Sequence, residues 1–540
     1  MKQYSGRSVN GGIASAPIKI YRKNKVRVRR KHVADTDAEI GRLGNAVEEL
    51  CMQFEMLARK AGENVGDGDA ELFNAYAMIL HDEIFIGTVK ETIKNERINA
   101  EFAVMRVAQG IAEMFSSMEE EYMRSRSADM EDVADRLTRL LLGEDEKPFV
   151  INEPCILVAE DLSPAQTVML DKKLIQGIVT VKGSVTSHTA ILARTMDIPA
   201  MVLVPLDLFS GEIKDEQMAV LDGFNGSFIL SPDFDTLVST KNRMEELARE
   251  SEELLSYKDL ESVTTDGKHI KLMANVASTY DLDAVLRSGA DGIGLFRSEF
   301  LYLESRSFPD EEKQFKAYKK VLETMGDKPV VIRTMDIGAD KQPDYFGVEH
   351  EENPALGFRA IRICLKKPEI FKTQLRALLR AGVYGNLQIL YPMVTCTWEL
   401  EWIDRVVKEC AAELENEGVL YRVPVQGIMI ETPAAAVTAD ILAGKTGFFS
   451  IGTNDLVQYT MALDRQNGML DDFYRPKETA IRRMIEFTVK SAHENGILCG
   501  VCGELAADIS MTRFFIDAGM DALSVSPGFI LRLKKHIRSL

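Results

Sequence analysis

The chain has no apolar run that approaches the roughly 20 residues of a membrane span, and its start, MKQYSGRSVNGG, lacks the apolar centre of a signal peptide. A soluble protein of the cytoplasm is expected. Cysteine is scarce as well: seven in 540 residues, an odd number at irregular spacing. That usage excludes a disulfide framework and fits a reducing compartment. Positive charge falls short of negative, 65 Lys and Arg against 83 Asp and Glu, for a net charge of -18. Nucleic acid and anionic membrane make poor partners for such a surface, whereas a basic protein suits it. Finally, no Gly-rich phosphate-binding loop lies in the 187 residues ahead of His188, so an ATP-binding domain is not expected there.

What is present fills several cores, because 540 residues at 46% hydrophobic content call for two to four domains. Residues 1–34, with the run GGIASAPIKIYR, read as strand and turn. Residues 35–143 change character. EIGRLGNAVEELCMQFEMLARKAG, AELFNAYAMILHDEIFIGTVKETIK, AEFAVMRVAQGIAEMFSSMEEEYMRSRS and DMEDVADRLTRLLLG repeat apolar residues every three or four positions, which predicts a helical bundle. Short β-rich runs (CILVAE, GIVTV, AMVLV, MAVLDG, SFILSP) then alternate with helical ones over residues 144–231, as in an α/β unit. The opening strand needs a sheet to join, so the bundle is expected to be an insert in that unit. Residues 232–260 carry dense mixed charge on a weak apolar stripe and predict an exposed linker helix. From 261 to 540, eight apolar runs (IKLMANV, GIGLFRS, VVIRTM, LQILYPM, VQGIMIE, FFSIGTN, LCGVCGE, ALSVSP) alternate with helical segments, the count and size of a (β/α)₈ barrel.

Polar groups sit where those runs stop: Asn275, Arg297, Arg333, Glu431, Asn454 with Asp455, and Cys502 with Glu504. In a barrel, strand ends converge on one mouth, where active sites are built. Arg297, Arg333 and Arg465, with Asn454, ask for a doubly anionic small substrate, because guanidinium forks match phosphate and carboxylate oxygens. Glu431 and Asp455 add hard oxygen ligands of the kind that hold Mg²⁺ beside a phosphate. The plain alternative is that arginines and carboxylates pair with one another at the rim. The CGVC run at Cys499 to Cys502 has the spacing of a redox dithiol, but inside a strand positions i and i+3 face opposite sides. Cys502 is left as a proton donor or a plain buried thiol.

In GSVTSHTAILAR, Thr186 and Ser187 are natural N-cap residues, so a helix starts at or beside His188. A helix N-terminus welcomes a phosphate, and no Ser-His-Asp spacing surrounds this histidine. From the residues alone it is either a satisfied structural histidine or a phosphoryl acceptor served by another domain.

Through TSHTAILAR, GIGLFRSEFL, IRTMDIGADK, ENPALGFRAIR, GIMIETPAAA, FFSIGTNDLVQYTMALDR and CGVCGELA, the whole chain resembles the Enzyme I family of the bacterial sugar phosphotransferase system, the phosphoenolpyruvate-protein phosphotransferases. The resemblance implies a swivelling α/β phosphohistidine domain, a helical insert that docks the histidine phosphocarrier protein HPr, and a barrel that binds phosphoenolpyruvate and Mg²⁺ and forms a homodimer. It implies that His188 takes the phosphoryl group on Nε2, with Thr167 in DLSPAQT holding the other ring nitrogen, and passes it to HPr with release of pyruvate. Arg297, Arg333, Asn454 and Arg465 would bind phosphoenolpyruvate, Glu431 and Asp455 would hold Mg²⁺, and Cys502 would protonate the enolate. Ser184, Ala339, Tyr76 and His81 depart from the family pattern, and Lys182 stands just ahead of the histidine loop. The related pyruvate phosphate dikinases and phosphoenolpyruvate synthases need an ATP-binding domain. Two further readings stay open at this point: a relative that feeds a nitrogen-regulatory or dihydroxyacetone-kinase relay, and a non-enzymatic scaffold.

Overall fold

The computed structural model describes residues 1–22, 26, 28–64, 67–116, 121–143, 151–162, 166, 173–183, 189–190, 193–194, 198–208, 213–303, 305, 307–338, 343–347, 351–465, 467–473 and 475–540. Two compact units divide the chain, Met1–Ala248 and Arg249–Leu540.

The first unit holds an eight-stranded mixed sheet. Its strands are β1 (Lys2–Ser5), β2 (Arg7–Asn10), β3 (Ile13–Tyr21), β4 (Cys155–Ala159), β5 (Ile175–Thr180), β6 (Ala200–Val202), β7 (Met218–Asp222) and β8 (Ser227–Leu230), in the order β1-β8-β7-β3-β4-β5-β6-β2. The run IASAPIKIY forms β3 because its apolar residues alternate: Ala14, Ala16, Ile18 and Ile20 all point into one core. β3 pairs parallel with β4, Ile18 opposite Ile156, although more than a hundred residues separate them in sequence.

That separation is filled by helices α1 (Thr36–Asn64), α2 (Asp67–His81), α3 (Thr88–Glu96), α4 (Ala100–Ser116) and α5 (Glu121–Leu142). They close around a core of their own. Leu43, Val47, Leu50 and Phe54 recur every three or four residues along α1 and meet Phe73, Tyr76, Val89 and Val133. The sequence predicts one helix from AELFNAY to ETIK, but the chain breaks after His81. Asp82 is extended (φ -71°, ψ 122°), its carboxylate accepts from the Ile84 amide, and a single π-helical turn, Glu83–Gly87, precedes α3. The mixed-charge segment forms helix α6 (Phe234–Leu255), with no buried residue.

The second unit is a closed barrel of eight parallel strands: β9 (Lys271–Val276), β10 (Gly292–Arg297), β11 (Pro329–Arg333), β12 (Asn386–Tyr391), β13 (Val425–Ile430), β14 (Phe448–Gly452), β15 (Leu498–Cys502) and β16 (Ala522–Val525). Each of the eight apolar runs of the sequence supplies one strand. Both faces of these strands are covered, which is why they read as continuous apolar runs. Leu295, Val331, Leu390, Met429, Phe448 and Cys502 fill the barrel interior, while Ile293, Ile332, Ile389, Ile430 and Cys499 pack outward against helices. Cys499 and Cys502 thus lie on opposite faces of β15, and no dithiol forms.

Candidate active site

Parallel strands in a closed barrel bring all their carboxyl ends to one mouth. There, β10 ends on Arg297, β11 on Arg333 and β15 on Cys502; Glu431 follows β13, and Asn454 and Asp455 open the helix Thr453–Met461 after β14. A cavity of about 730 Å³ is lined by these six and by Arg465, so every site residue expected of the barrel converges on it. His188 and Thr167 lie outside the described residues, as do Ser184 and Ala339. Asn275 is engaged elsewhere. Its side chain donates to the Ser524 carbonyl at 2.9 Å and accepts from the Ser524 hydroxyl at 2.6 Å. Glu504 is exposed, and its amide donates to Asn454 Oδ1 at 3.1 Å.

The cationic groups fall into two classes. Arg333 is gripped by Glu299 at 3.0 Å and by Asp336 at 3.0 Å, with only 12% of its side chain exposed. Burial opposes its charge, but Glu299 and Asp336 outweigh that penalty and leave its pKa raised. Arg359 is held in the same way, by Asp336 at 2.9 Å and Asp455 at 3.4 Å. Arg297 and Arg465, by contrast, are exposed on the cavity and make no ion pair among the described residues. Two fixed and two unpaired guanidinium groups around one cavity suit a small multiply charged anion.

Arg359, Asp336, Glu299 and Tyr459 also line the cavity, and strand-end counting missed them. Glu299 and Asp336 stand two and three residues beyond Arg297 and Arg333, so slightly longer windows find them. Arg359 has no such signal. It arrives on a loop pressed against Gly338, which has φ +130°, and a Cβ there would come within 2.2 Å of Arg359 Cβ. The next residue, Ala360, adopts φ 50° and ψ -125°, a conformation that strains any residue but glycine.

The anionic groups bear on a metal. Glu431 is 1% exposed, and its Oε1 accepts from the Met393 amide at 2.6 Å. Burial, then the charges of Asp455 and Asp336, push its carboxyl up to about 8. Asp455 Oδ1 is buried with no hydrogen-bond partner. An orphaned carboxylate oxygen beside a carboxyl that resists ionisation is the electrostatic deficit that a divalent cation removes. Among the described residues no three His, Cys, Asp or Glu side chains converge as a metal cage, so a cation here would take its other ligands from substrate and water.

Cys502 is 3% exposed at the floor of the cavity. Ser450 Oγ lies 3.6 Å from its sulfur, and the thiol itself faces the Ile451 carbonyl at 3.5 Å. Burial raises its pKa, against smaller lowering effects of Ser450 and Arg333. The raised pKa favours the protonated thiol.

Residues 251–540 match the family described as PEP-utilising enzyme, PEP-binding domain. Residues 5–126 match PEP-utilising enzyme, N-terminal, and residues 151–226 match its mobile domain. The chain is 40% identical to a phosphoenolpyruvate-protein phosphotransferase of Priestia megaterium, covering 100% of this chain and 94% of that protein. It is 39% identical, with the same coverage, to one from Staphylococcus carnosus. A solved structure titled as an NMR solution structure of Enzyme I (nEIt) is 30% identical over 45% of this chain and 99% of that one, with a TM-score of 0.40. With family matches from residue 5 to the C-terminus and relatives this similar over nearly their full length, the chain belongs to the PEP-utilising enzymes, in the family of phosphoenolpyruvate-protein phosphotransferases.

Proposed function

We propose that this enzyme moves the phosphoryl group of phosphoenolpyruvate to Nε2 of His188, and from there to the histidine of the small phosphocarrier HPr, as the first step of sugar uptake by the phosphotransferase system. The observation that carries this is the cavity itself: Arg297 and Arg465 unpaired among the described residues, Arg333 fixed, and a protonated Cys502 thiol at the floor. Arg297, Arg333, Arg465 and Asn454 bind the carboxylate and phosphate. Glu431 and Asp455 hold Mg²⁺, which when bound neutralises developing charge on the phosphate.

Neutral imidazole at His188 attacks phosphorus in line, with Thr167 orienting the ring. The bond from phosphorus to the enol oxygen breaks, and its electron pair stays on the enolate. Cys502 delivers its proton to the enolate carbon, pyruvate leaves, and the thiolate recovers a proton from water. Positioning and charge neutralisation supply most of the acceleration, since phosphoryl transfer asks for little covalent help from protein.

The histidine is then carried from the barrel to the partner protein, with α6, which spans the boundary of the two units in sequence, as the pivot. HPr docks on the insert, where Met52, Met56 and Met78 of α1 and α2 stand 59%, 58% and 73% exposed. The net charge of -18 favours such a basic partner. The barrel forms the homodimer, and the enzyme works in the cytoplasm. No helix among the described residues is long and apolar enough to cross a membrane.

Labelled phosphoenolpyruvate with Mg²⁺ tests the proposal. An acid-labile, base-stable label on the protein, matched by stoichiometric pyruvate and absent from His188→Ala, is the expected result. Tight phosphoenolpyruvate binding without any label would overturn it in favour of a scaffold.

A further inference from the structure

Behind the mouth of the barrel, away from the cavity, lies a buried amide, two of whose three hydrogen bonds reach strand ends that carry arginine. Gln374, in the helix Pro368–Ala381, is 1% exposed. Its Oε1 accepts from the buried Met335 amide at 2.9 Å. That bond settles which way the amide points. Nε2 therefore donates, to Ser298 Oγ at 2.9 Å and to Tyr318 OH at 3.0 Å. Ser298 directly follows Arg297, and Met335 stands two residues past Arg333. The same two loops are joined on the cavity side, where Glu299 Oε1 accepts from the Asp336 amide at 2.9 Å and pairs with Arg333 at 3.0 Å.

We infer that Gln374 is a positioning residue for phosphoenolpyruvate: it locks the loop after β10 to the loop after β11 and so sets the spacing of Arg297 and Arg333. It touches no substrate. Arg297 has no ion pair of its own among the described residues, so its place depends on the backbone that carries it. Ser298, fully buried, is the anchor of that backbone. Tyr318 ties the amide to the outer helix Glu311–Met325 through Gln314 Oε1 at 3.0 Å, and serves as the rear support.

This rests on the function proposed above, and the test separates the two. Single-turnover phosphorylation from phosphoenolpyruvate is measured for the wild-type chain, Gln374→Met, Ser298→Ala and Tyr318→Phe, with thermal midpoints alongside. The expected result is an active wild type and a KM for phosphoenolpyruvate raised about 10-fold or more in Gln374→Met and in Ser298→Ala, the scale of a small misplacement of binding groups. In Tyr318→Phe the midpoint drops and KM stays within about twofold. Ser298→Ala removes only one oxygen and keeps the inference testable should Gln374→Met fail to fold. Lowered midpoints with unchanged KM in both Gln374→Met and Ser298→Ala would assign a purely structural role and overturn the inference. A wild-type chain that binds phosphoenolpyruvate but takes no label would overturn the functional proposal, and the positioning role with it.

Discussion

Arg359 donates to both oxygens of Asp336, at 2.9 and 3.0 Å, in a fork that is almost wholly buried. Arg333 reaches the same carboxylate at 3.0 Å, so one acidic side chain sets the separation of two guanidinium groups at the mouth. Asp336→Asn keeps the shape and removes the charge, which leaves two cations buried with too little compensation. The barrel is expected to lose about 3 kcal/mol or more. A thermal midpoint within a degree of wild type would count against this.

In the proposed reaction Cys502 is the acid, a role that requires it to be protonated. Its pKa is raised above the ordinary 9.0, chiefly by burial, and the protonated form therefore persists to higher pH. The descending limb of pyruvate formation should therefore have its midpoint above pH 9. Cys502→Ser, with a far weaker acid, should lower turnover by roughly 10²- to 10⁴-fold while binding persists. A thiol titration in the rate profile with its midpoint below pH 9 would remove Cys502 from the role.

Asp455→Asn takes a charge, and Glu431→Gln a carboxyl that a bound cation would ionise, from the pair that suits a divalent cation. Both variants should need at least about tenfold more Mg²⁺ for half-maximal phosphorylation, since even outer-shell changes at metal sites cost that much. Titration of Mg²⁺ at saturating phosphoenolpyruvate decides it, and an unshifted midpoint in both would place the metal elsewhere.

Gly503 has φ +93°, and a Cβ there would lie 2.4 Å from Thr453 Oγ1 and 2.9 Å from Asn454 Oδ1. Gly503→Ala should therefore push Asn454 out of place and raise the KM for phosphoenolpyruvate, at about 1–3 kcal/mol of local strain. Kinetics on the folded variant give the answer. A normal KM would mean that Asn454 is not needed for binding.

Helix α6 buries none of its residues, and its sequence-near ion pairs, such as Arg243 with Glu246 at 3.3 Å, are solvent-exposed. Limited proteolysis should cut within 234–255 in at least one ligand state. Resistance in every state would sink the pivot assigned to this helix. If HPr is the acceptor proposed above, transfer to it should also slow as salt rises, because charge attraction would steer that encounter.

Local pattern carries far in this chain where local physics decides the outcome. The barrel strands are legible because each is buried on both faces, and Arg297, Arg333, Glu431, Asp455 and Cys502 can be grouped because parallel strands must deliver their ends together. The break after His81 is not legible: it depends on Asp82 capping Ile84, within a segment whose apolar spacing suits one continuous helix. Tyr76, read from the sequence as a departure from the family pattern, is buried, with its hydroxyl on Asp129 at 3.1 Å and its ring edge-on to Phe54. The three-residue spacing of the CGVC run is enough to separate its thiols, because alternation along a strand needs no knowledge of the fold.

Strand period, helix period, strand-end chemistry and the family to which the chain belongs are therefore present in the order of residues alone. Partnership is not. Which arginines are paired with carboxylates and which stand unpaired among the described residues, how Arg359 enters from a distant loop over Gly338, and that Gln374 grips two strand ends from behind depend on contacts between segments far apart in sequence. Hydrogen bonds and ion pairs act over about 3–4 Å, and no spacing rule along the chain says which side chains will come that close once it closes into a barrel.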